Sequence, residues 1–480
     1  MKRIAIVGGG IAGLSAAFYL EQARRGGAAI SYHLFEAGPR LGGILHTQRI
    51  GKFVVEAGAD SFLTEKPWAR ELCCELGLES ELIGSNDSAR QTYVLISGNL
   101  VPLPKGLQFI VPATAAAMTS EFFSAQAQQQ IAREVEVTPR ARDTDESVAA
   151  FVERHFGREL LERVADPMLA GIYGGEAERL SARAVLPRLV AMERSTGSLI
   201  RGLQAPIESA PIESPAPRVR SSEPDSPRPG AIFTSLRTGM QRIVDALVHQ
   251  LEPDCIHLNC AMQNVSRQNG GWFLAGEPEP FDDLILAVPA WAAGQLLRAT
   301  HSELARALAK INYTSSMTVA LGFEAATLRR VRARNTQLPA GFGFLVPRGE
   351  GRSLLACTFV HHKFPHRVPE DGQLVRLFFG GARHEAALTL SDDEAVALAR
   401  HELESITGFN AAPTFHRVWR WPRAMPQYDV GHLELIEEIE TLQAKLPGLA
   451  LIGNAYHGLG VPDCIRSGRE AAERLFHVGV

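Results

Sequence analysis

The chain opens on RIAIVGGGIAGLSAAFYLEQA, Arg3 to Ala23. An apolar run meets a burst of glycine and passes directly into helix-forming residues. Few features restrict a fold as tightly. A strand that ends in GxGxxG and feeds a helix reads as the first turn of a βαβ unit. Gly8, Gly10 and Gly13 are the motif glycines, with Gly9, Ile11 and Ala12 between them. Glycine permits the tight turn, lets the backbone approach a pyrophosphate, and lets helix and strand pack closely. The helix start then offers free N–H groups and the positive end of its dipole to phosphate. Taken alone, the motif leaves NAD, FAD and an empty structural turn all open.

Glu36 narrows the choice. Ser31–Glu36 reads as the second parallel strand, and Glu36 falls roughly 20 residues past Gly13, where a strand-end carboxylate accepts from ribose hydroxyls. The stretch EAGPRLGG follows, carrying Ala37, Arg40, Gly42 and Gly43. A pure NAD-binding fold has no need of a basic residue and a glycine pair here. Beside an FAD pyrophosphate, arginine supplies charge and glycine supplies clearance.

Bulk properties set outer limits. At 480 residues the chain calls for two or three domains. A formal net charge of −4 gives no basic field for gripping nucleic acid, so nucleic acid is not an expected partner. The 6 cysteines form no CxxC pair, which argues against zinc ribbons and disulfide frameworks. No metal is expected, and reduced thiols fit a cytoplasmic location. The N-terminus does not read as a signal peptide. The uncharged runs Gly106–Ser120 and Leu284–Leu297 fall short of the ~20 residues that span a bilayer. Peripheral membrane contact is left open.

Along the chain, Phe53–Leu82 reads as helical and QTYVLISGNLVPLP as a hairpin turning near Ser97–Asn99. Leu107–Gly171 reads as mostly helical, with breaks at Pro112 and around Thr138–Arg142, and Ser315–Gly381 as strand-rich. LPGLALIGNAYHGLGVPDCIRSG reads as a strand over Leu449–Ile452, a glycine-rich turn, and a helix starting near Pro462. QAPIESAPIESPAPRVRSSEPDSPRPG, Gln204–Gly230, is too rich in proline, serine and charge to bury much apolar area. A disordered insertion is expected over 204–229.

The expected class is α/β, a Rossmann-like FAD-binding domain interleaved with an α+β substrate domain and a helical subdomain. Residues 1–85, 230–300 and 425–480 are assigned to the first, 86–93, 174–203 and 301–424 to the second, and 94–173 to the third.

The pattern GxGxxGLxxA…EAxxRxGG resembles the amine-oxidase-like FAD superfamily. AGIYGGEAERLSARAVLPRL (Ala170–Leu189), RWPRAMPQYDVGH (Arg420–His432) and GNAYHGLGVPDCIRSG (Gly453–Gly468) together resemble its oxygen-dependent porphyrinogen oxidases, of the bacterial type. The resemblance implies oxidation of coproporphyrinogen III or protoporphyrinogen IX to the porphyrin in haem biosynthesis. FAD would take the electrons, and O2 would reoxidise it to give hydrogen peroxide. It adds Val265, Gly453, Asn454, Gly460, Val461 and Pro462 to the FAD contacts. Many relatives carry an acidic residue where Asn454 stands.

It also places Tyr173, Gly174 and Gly175 at the tetrapyrrole, the glycine pair giving the ring clearance. Leu355 and Phe378 fall near the substrate face. Lys66 and Arg90 are the candidate propionate anchors, although plant-type relatives carry arginine where Thr92 stands. No catalytic acid or base is named; His361, His362 and His457 read as surface or loop residues. Neighbouring haem-pathway enzymes are left open as partners. Two alternatives stay in view: another oxidase of the superfamily, such as an amine oxidase or a desaturase, and a binding-only relative.

Overall fold

The computed structural model describes residues 1–139, 144–204, 231–330 and 337–477. The expected insertion, beyond Gln204, lies outside them. The chain divides into two compact units. One comprises Met1–Ser85, Pro227–Tyr313 and Leu433–Val480; the other comprises Asn86–Ser226 and Thr314–His432.

The first unit is built on a five-stranded sheet with strands in the order Ile256–His257, Ile30–Phe35, Lys2–Val7, Asp283–Leu286, Leu449–Leu451. Every pairing is parallel. Ile4, Ala5 and Ile6 are fully buried because both faces of the sheet are covered, as a parallel sheet requires. Ile4, Ile6, Tyr32 and Leu34 enter one core, while Ala5, Val7, Phe35 and Leu284 enter the other. The two-residue alternation of a strand makes that division.

Lys2–Val7 pairs with the next strand in sequence on one side and with Asp283–Leu286 on the other. The strand order therefore reverses there, and ligands of such sheets bind outside the carboxyl ends of the strands at that point. Val7, Phe35, Leu286 and Leu451 stand in register at those ends. The helix Ile11–Arg25 leaves from this edge, and the last helix, Val461–His477, crosses it closely. At the crossing a Cβ on Gly468 would lie 2.3 Å from the Ala12 carbonyl oxygen.

The second unit carries a seven-stranded sheet that includes Tyr313–Phe323, Gln373–Gly380, Leu354–Phe359 and Gly343–Leu345, the stretch read as strand-rich. The hairpin Thr92–Ile96 and Asn99–Pro102 forms one edge. Met317, Val319, Leu321, Val375, Leu377 and Phe379 bury one face. The helices of 148–173 and 182–204 share a separate core with Val94. No described helix is long and apolar enough to cross a membrane.

One local expectation is overturned. Phe53–Leu82 is not continuously helical. Phe53–Glu56 pairs antiparallel with Thr47–Ile50, Phe62–Leu63 is a short strand, and only Trp68–Glu75 is α-helix. Glu56 is buried there, accepting from Thr47 Oγ1 and from the Met240 N–H at 2.8 Å each. Tertiary partners outweigh the helical spacing of the apolar residues. Leu107–Gly171 is mostly helical, as expected; Leu107–Gln108 and Val111–Pro112 pair as two-residue strands at its start, and helix begins at Ala115.

His361 is no loose surface residue. It lies in the short helix Val360–Lys363, its Nδ1 3.1 Å from the Leu374 carbonyl oxygen. Burial, with His362 alongside, pulls its pKa down to about 4. An unfolded histidine takes its proton near 6.5, so unfolding binds a proton between these values. Stability is therefore expected to fall as pH drops through that window, by about 3 kcal/mol for this group. Urea midpoints between pH 7 and pH 4 test it: His361→Gln should flatten this part of the profile, and an unchanged slope would refute the assignment.

Candidate functional site

The first turn is shaped by its own backbone. Gly8 sits at φ +108°, where a Cβ would come 2.4 Å from the Ala287 carbonyl oxygen. At Gly13 a Cβ would lie 2.0 Å from the Gly8 oxygen. Gly10 is different: no atom lies within 4 Å of where its Cβ would be. Gly10 caps the helix without any side-chain hydrogen bond, so the first-turn N–H groups have no capping side chain. Ile11 and Ala12 are buried behind them. A turn closed toward the protein and open outward is what an anion at a helix start needs.

Glu36 stands at the end of the neighbouring strand. Its two carboxylate oxygens accept from the Gly9 N–H at 2.8 Å and the Gly38 N–H at 2.7 Å. A carboxylate offers about four acceptor positions, so capacity remains for two ribose hydroxyls. Ala37 beside it is exposed.

The RLGG segment folds onto the same turn. The Gly42 N–H donates to the Gly9 carbonyl at 2.8 Å, and Gly42 bridges Gly10. Gly43 takes φ +57°, and its Cβ position lies 3.4 Å from the Gly10 Cα. Arg40 donates to the carbonyls of Leu41, Leu45 and Gly43. Among the described residues no carboxylate lies within ion-pair distance of its guanidinium. Burial pulls its pKa down, while the Glu36 charge opposes this. A half-buried cation held only by neutral carbonyls, at the mouth of an open helix start, fits a pyrophosphate.

The C-terminal turn lies at the same sheet edge. Gly453 takes φ +116° with nothing within 4 Å of its Cβ position, and its N–H donates to Ser467 Oγ at 3.3 Å. Asn454 is half-buried. Gly460 precedes the last helix, whose first residues, Val461 and Pro462, are buried. Val265 is fully buried with Phe35 and Trp272, and its carbonyl accepts from Thr300 Oγ1. The structure thus brings together Gly8–Gly13, Glu36, Arg40–Gly43 and the Gly453–Pro462 segment around one sheet edge.

The expected substrate residues fare differently. Both carboxylate oxygens of Asp463, at 2.9 and 2.6 Å, already hold Lys66 Nζ, so Lys66 is not a free anchor for propionate. Arg90 is exposed after a short turn. The clearance at Gly174 and Gly175 belongs to the protein rather than to a ring: their Cβ positions lie 3.0 Å from Thr314 Oγ1 and 2.2 Å from Gln427 Oε1. Gln427 Nε2 also donates to the Tyr173 carbonyl at 2.8 Å. Leu355 is buried at an irregularity in its strand, beside Phe378 on the neighbouring strand. Phe378 is half-buried under the Arg376 guanidinium, 5.1 Å away. His457 is exposed and pairs with Glu440 at 2.8 Å.

Sequence reading missed Asp463 and Gln427. An acidic residue in the first turn of a helix, just after Pro462, was the available signal for Asp463. Gln427 left none.

The chain is similar to known proteins in sequence and in fold. The sequence profile described as flavin containing amine oxidoreductase matches residues 11–476. A coproporphyrinogen III oxidase of Bacillus subtilis (strain 168) is 31% identical over 98% of this chain and 97% of its own. One from Mycobacterium leprae (strain TN) is 31% identical over 98% and 97%. A solved structure from Exiguobacterium sp. 255-15, assigned to the protoporphyrinogen oxidases, superposes with a TM-score of 0.83 at 29% identity, covering 99% of each chain. With its glycine turn, strand-end carboxylate and RxGG loop gathered at one edge, the chain belongs to the flavin-containing amine oxidoreductase family that includes these coproporphyrinogen III oxidases.

Proposed function

We propose that this protein oxidises a porphyrinogen to the porphyrin on FAD, with O2 as acceptor and hydrogen peroxide as second product, in haem biosynthesis. Coproporphyrinogen III is the preferred substrate, since bacterial relatives that match over nearly their whole length, those of Bacillus subtilis and Mycobacterium leprae among them, carry that name. The observation that carries the reading is the cradle itself, with Gly10 and Gly453 open and no carboxylate among the described residues at ion-pair distance from Arg40. In it the N–H groups of the first helical turn and Arg40 would hold pyrophosphate, and Glu36 would hold ribose. Bound FAD would supply a two-electron acceptor that O2 regenerates, and three such rounds would carry the six electrons that separate a porphyrinogen from its porphyrin.

The protein's part is to orient ligand and exclude water. Leu355 and Phe378 are proposed as apolar substrate-facing side chains, and Arg90, exposed and cationic, as a propionate partner. No side chain is assigned as acid or base. A cytoplasmic location is proposed, which the free cysteines favour. The stretch Leu107–Val135 carries no basic stripe of the kind that holds a helix to a membrane surface.

Anaerobic mixing with each porphyrinogen in turn tests the proposal. Coproporphyrinogen III is expected to bleach the flavin band, and admission of O2 to restore it with porphyrin fluorescence. Bleaching by amines and by no porphyrinogen would replace this reading with an amine oxidase. A protein that takes up no FAD would mark a binding-only relative.

A further inference from the structure

We propose that Lys66 and Asp463 form a positioning pair that sets the reduction potential of the bound flavin. The inference rests on the FAD reading above. The order of the sheet gives the dinucleotide its direction. Ribose belongs at Glu36, on the strand to one side of Lys2–Val7, and pyrophosphate at the first helix start. The flavin half must then run toward the strands on the other side, where Leu449–Leu451 ends and the last helix begins. A helix start favours negative charge, and a flavin gains negative charge on reduction.

Asp463 complicates that start. It is the third residue of the helix, 5% exposed, and its Oδ2 accepts from the Gly460 N–H at 3.1 Å. The turn folds directly over it, since a Cβ on Gly458 would fall 2.4 Å from the Asp463 Cγ. Its surroundings are dry: burial first, then the Asp463 charge, pushes the adjacent Cys464 thiol up to about 12. An unbalanced carboxylate here would cancel the helix's positive end and disfavour the reduced flavin.

Lys66 restores the balance. Its ammonium contacts both Asp463 oxygens and is itself about one-third exposed. It arrives from the segment after Phe62–Leu63, which is tied to the last helix a second time by the Arg466 guanidinium 4.8 Å over the Trp68 ring. Because that second tie keeps the segment in place, charge at position 66 can be altered without releasing it.

The test is equilibrium of the flavin-loaded protein with a reference dye of known potential, in the absence of any porphyrinogen. Lys66→Met is expected to lower the ratio of reduced to oxidised flavin about tenfold at a fixed dye poise, which is about 30 mV for a two-electron couple. Asp463→Asn keeps an acceptor for the Gly460 N–H and is expected to raise the ratio by a similar factor. Lys66→Arg should stay within about twofold of the parent, and the double variant Lys66→Met/Asp463→Asn should return toward it. Both single changes break the same contact, so a purely structural role would move them in the same direction. Shifts of equal sign, or no shift, would overturn the pair's role while leaving the FAD reading intact. Failure of the unaltered protein to bind flavin would overturn both.

Discussion

Replacing Gly13 by alanine is expected to yield a protein that purifies without flavin and unfolds earlier than the parent. The added methyl would sit 2.0 Å from the Gly8 carbonyl oxygen and 3.1 Å from the Ala287 Cβ. Backbone cannot yield as a side-chain tip does, so the first strand and helix must separate, at a cost of about 3 kcal/mol. That variant alone would not distinguish a broken fold from a broken cradle. Gly10→Ala makes the distinction. Its methyl meets no protein atom within 4 Å, and Gly10 already has an ordinary extended backbone at φ −72°.

Loss of glycine at this helix cap costs about 1 kcal/mol, so the melting temperature of the apoprotein should change little. FAD affinity should fall at least about tenfold, equivalent to 1.4 kcal/mol, because the methyl enters the space proposed for pyrophosphate. Calorimetric titration of apoprotein with FAD reads this directly. Parent-like affinity in Gly10→Ala would remove the pyrophosphate from this turn.

The second large effect is expected away from the cradle. Asp166 opens the helix Asp166–Tyr173, and its Oδ1 lies 2.5 Å from Arg383 Nη2, both side chains being 8% exposed. The same oxygen accepts weakly from the Ala177 N–H at 3.4 Å. Glu176 stands 3.5 Å from Arg383 Nε and raises the guanidinium pKa together with Asp166, against burial. Truncating Asp166→Ala leaves a buried cation with only the weaker partner, and such losses run to about 3–5 kcal/mol. Urea unfolding should show that drop. Asp166→Leu combined with Arg383→Met should recover most of it, since a buried pair replaced by apolar groups is often near neutral. If the double variant is no more stable than Asp166→Ala, the cost does not come from an orphaned charge.

How far the site could be read from the chain depended on how local each signal was. Gly8, Gly10, Gly13 and Glu36 lie within one βαβ unit, and backbone geometry fixes their spacing. Arg40–Gly43 follow on the next few residues. Lys66, a candidate propionate anchor by sequence, pairs with a carboxylate 397 residues away, a partner that no local pattern announces. By sequence, Gly174 and Gly175 read as clearance for a ring. A glycine pair signals a close approach but not its occupant, and here Gln427 and Thr314 fill the space. Phe53–Glu56 was read as helix since short apolar runs satisfy either period; its cross-strand partner at Thr47–Ile50 decided for strand.

From its residues alone, the chain determined a parallel sheet of the nucleotide-binding kind, the glycine turn at its edge and the class of cofactor, because those depend on backbone demands over a few tens of residues. Only the tertiary structure decided which charges are already matched, which glycines open outward and which are filled from within. Coulomb attraction and close packing act between atoms adjacent in space, and adjacency across hundreds of residues leaves no periodic trace in a sequence.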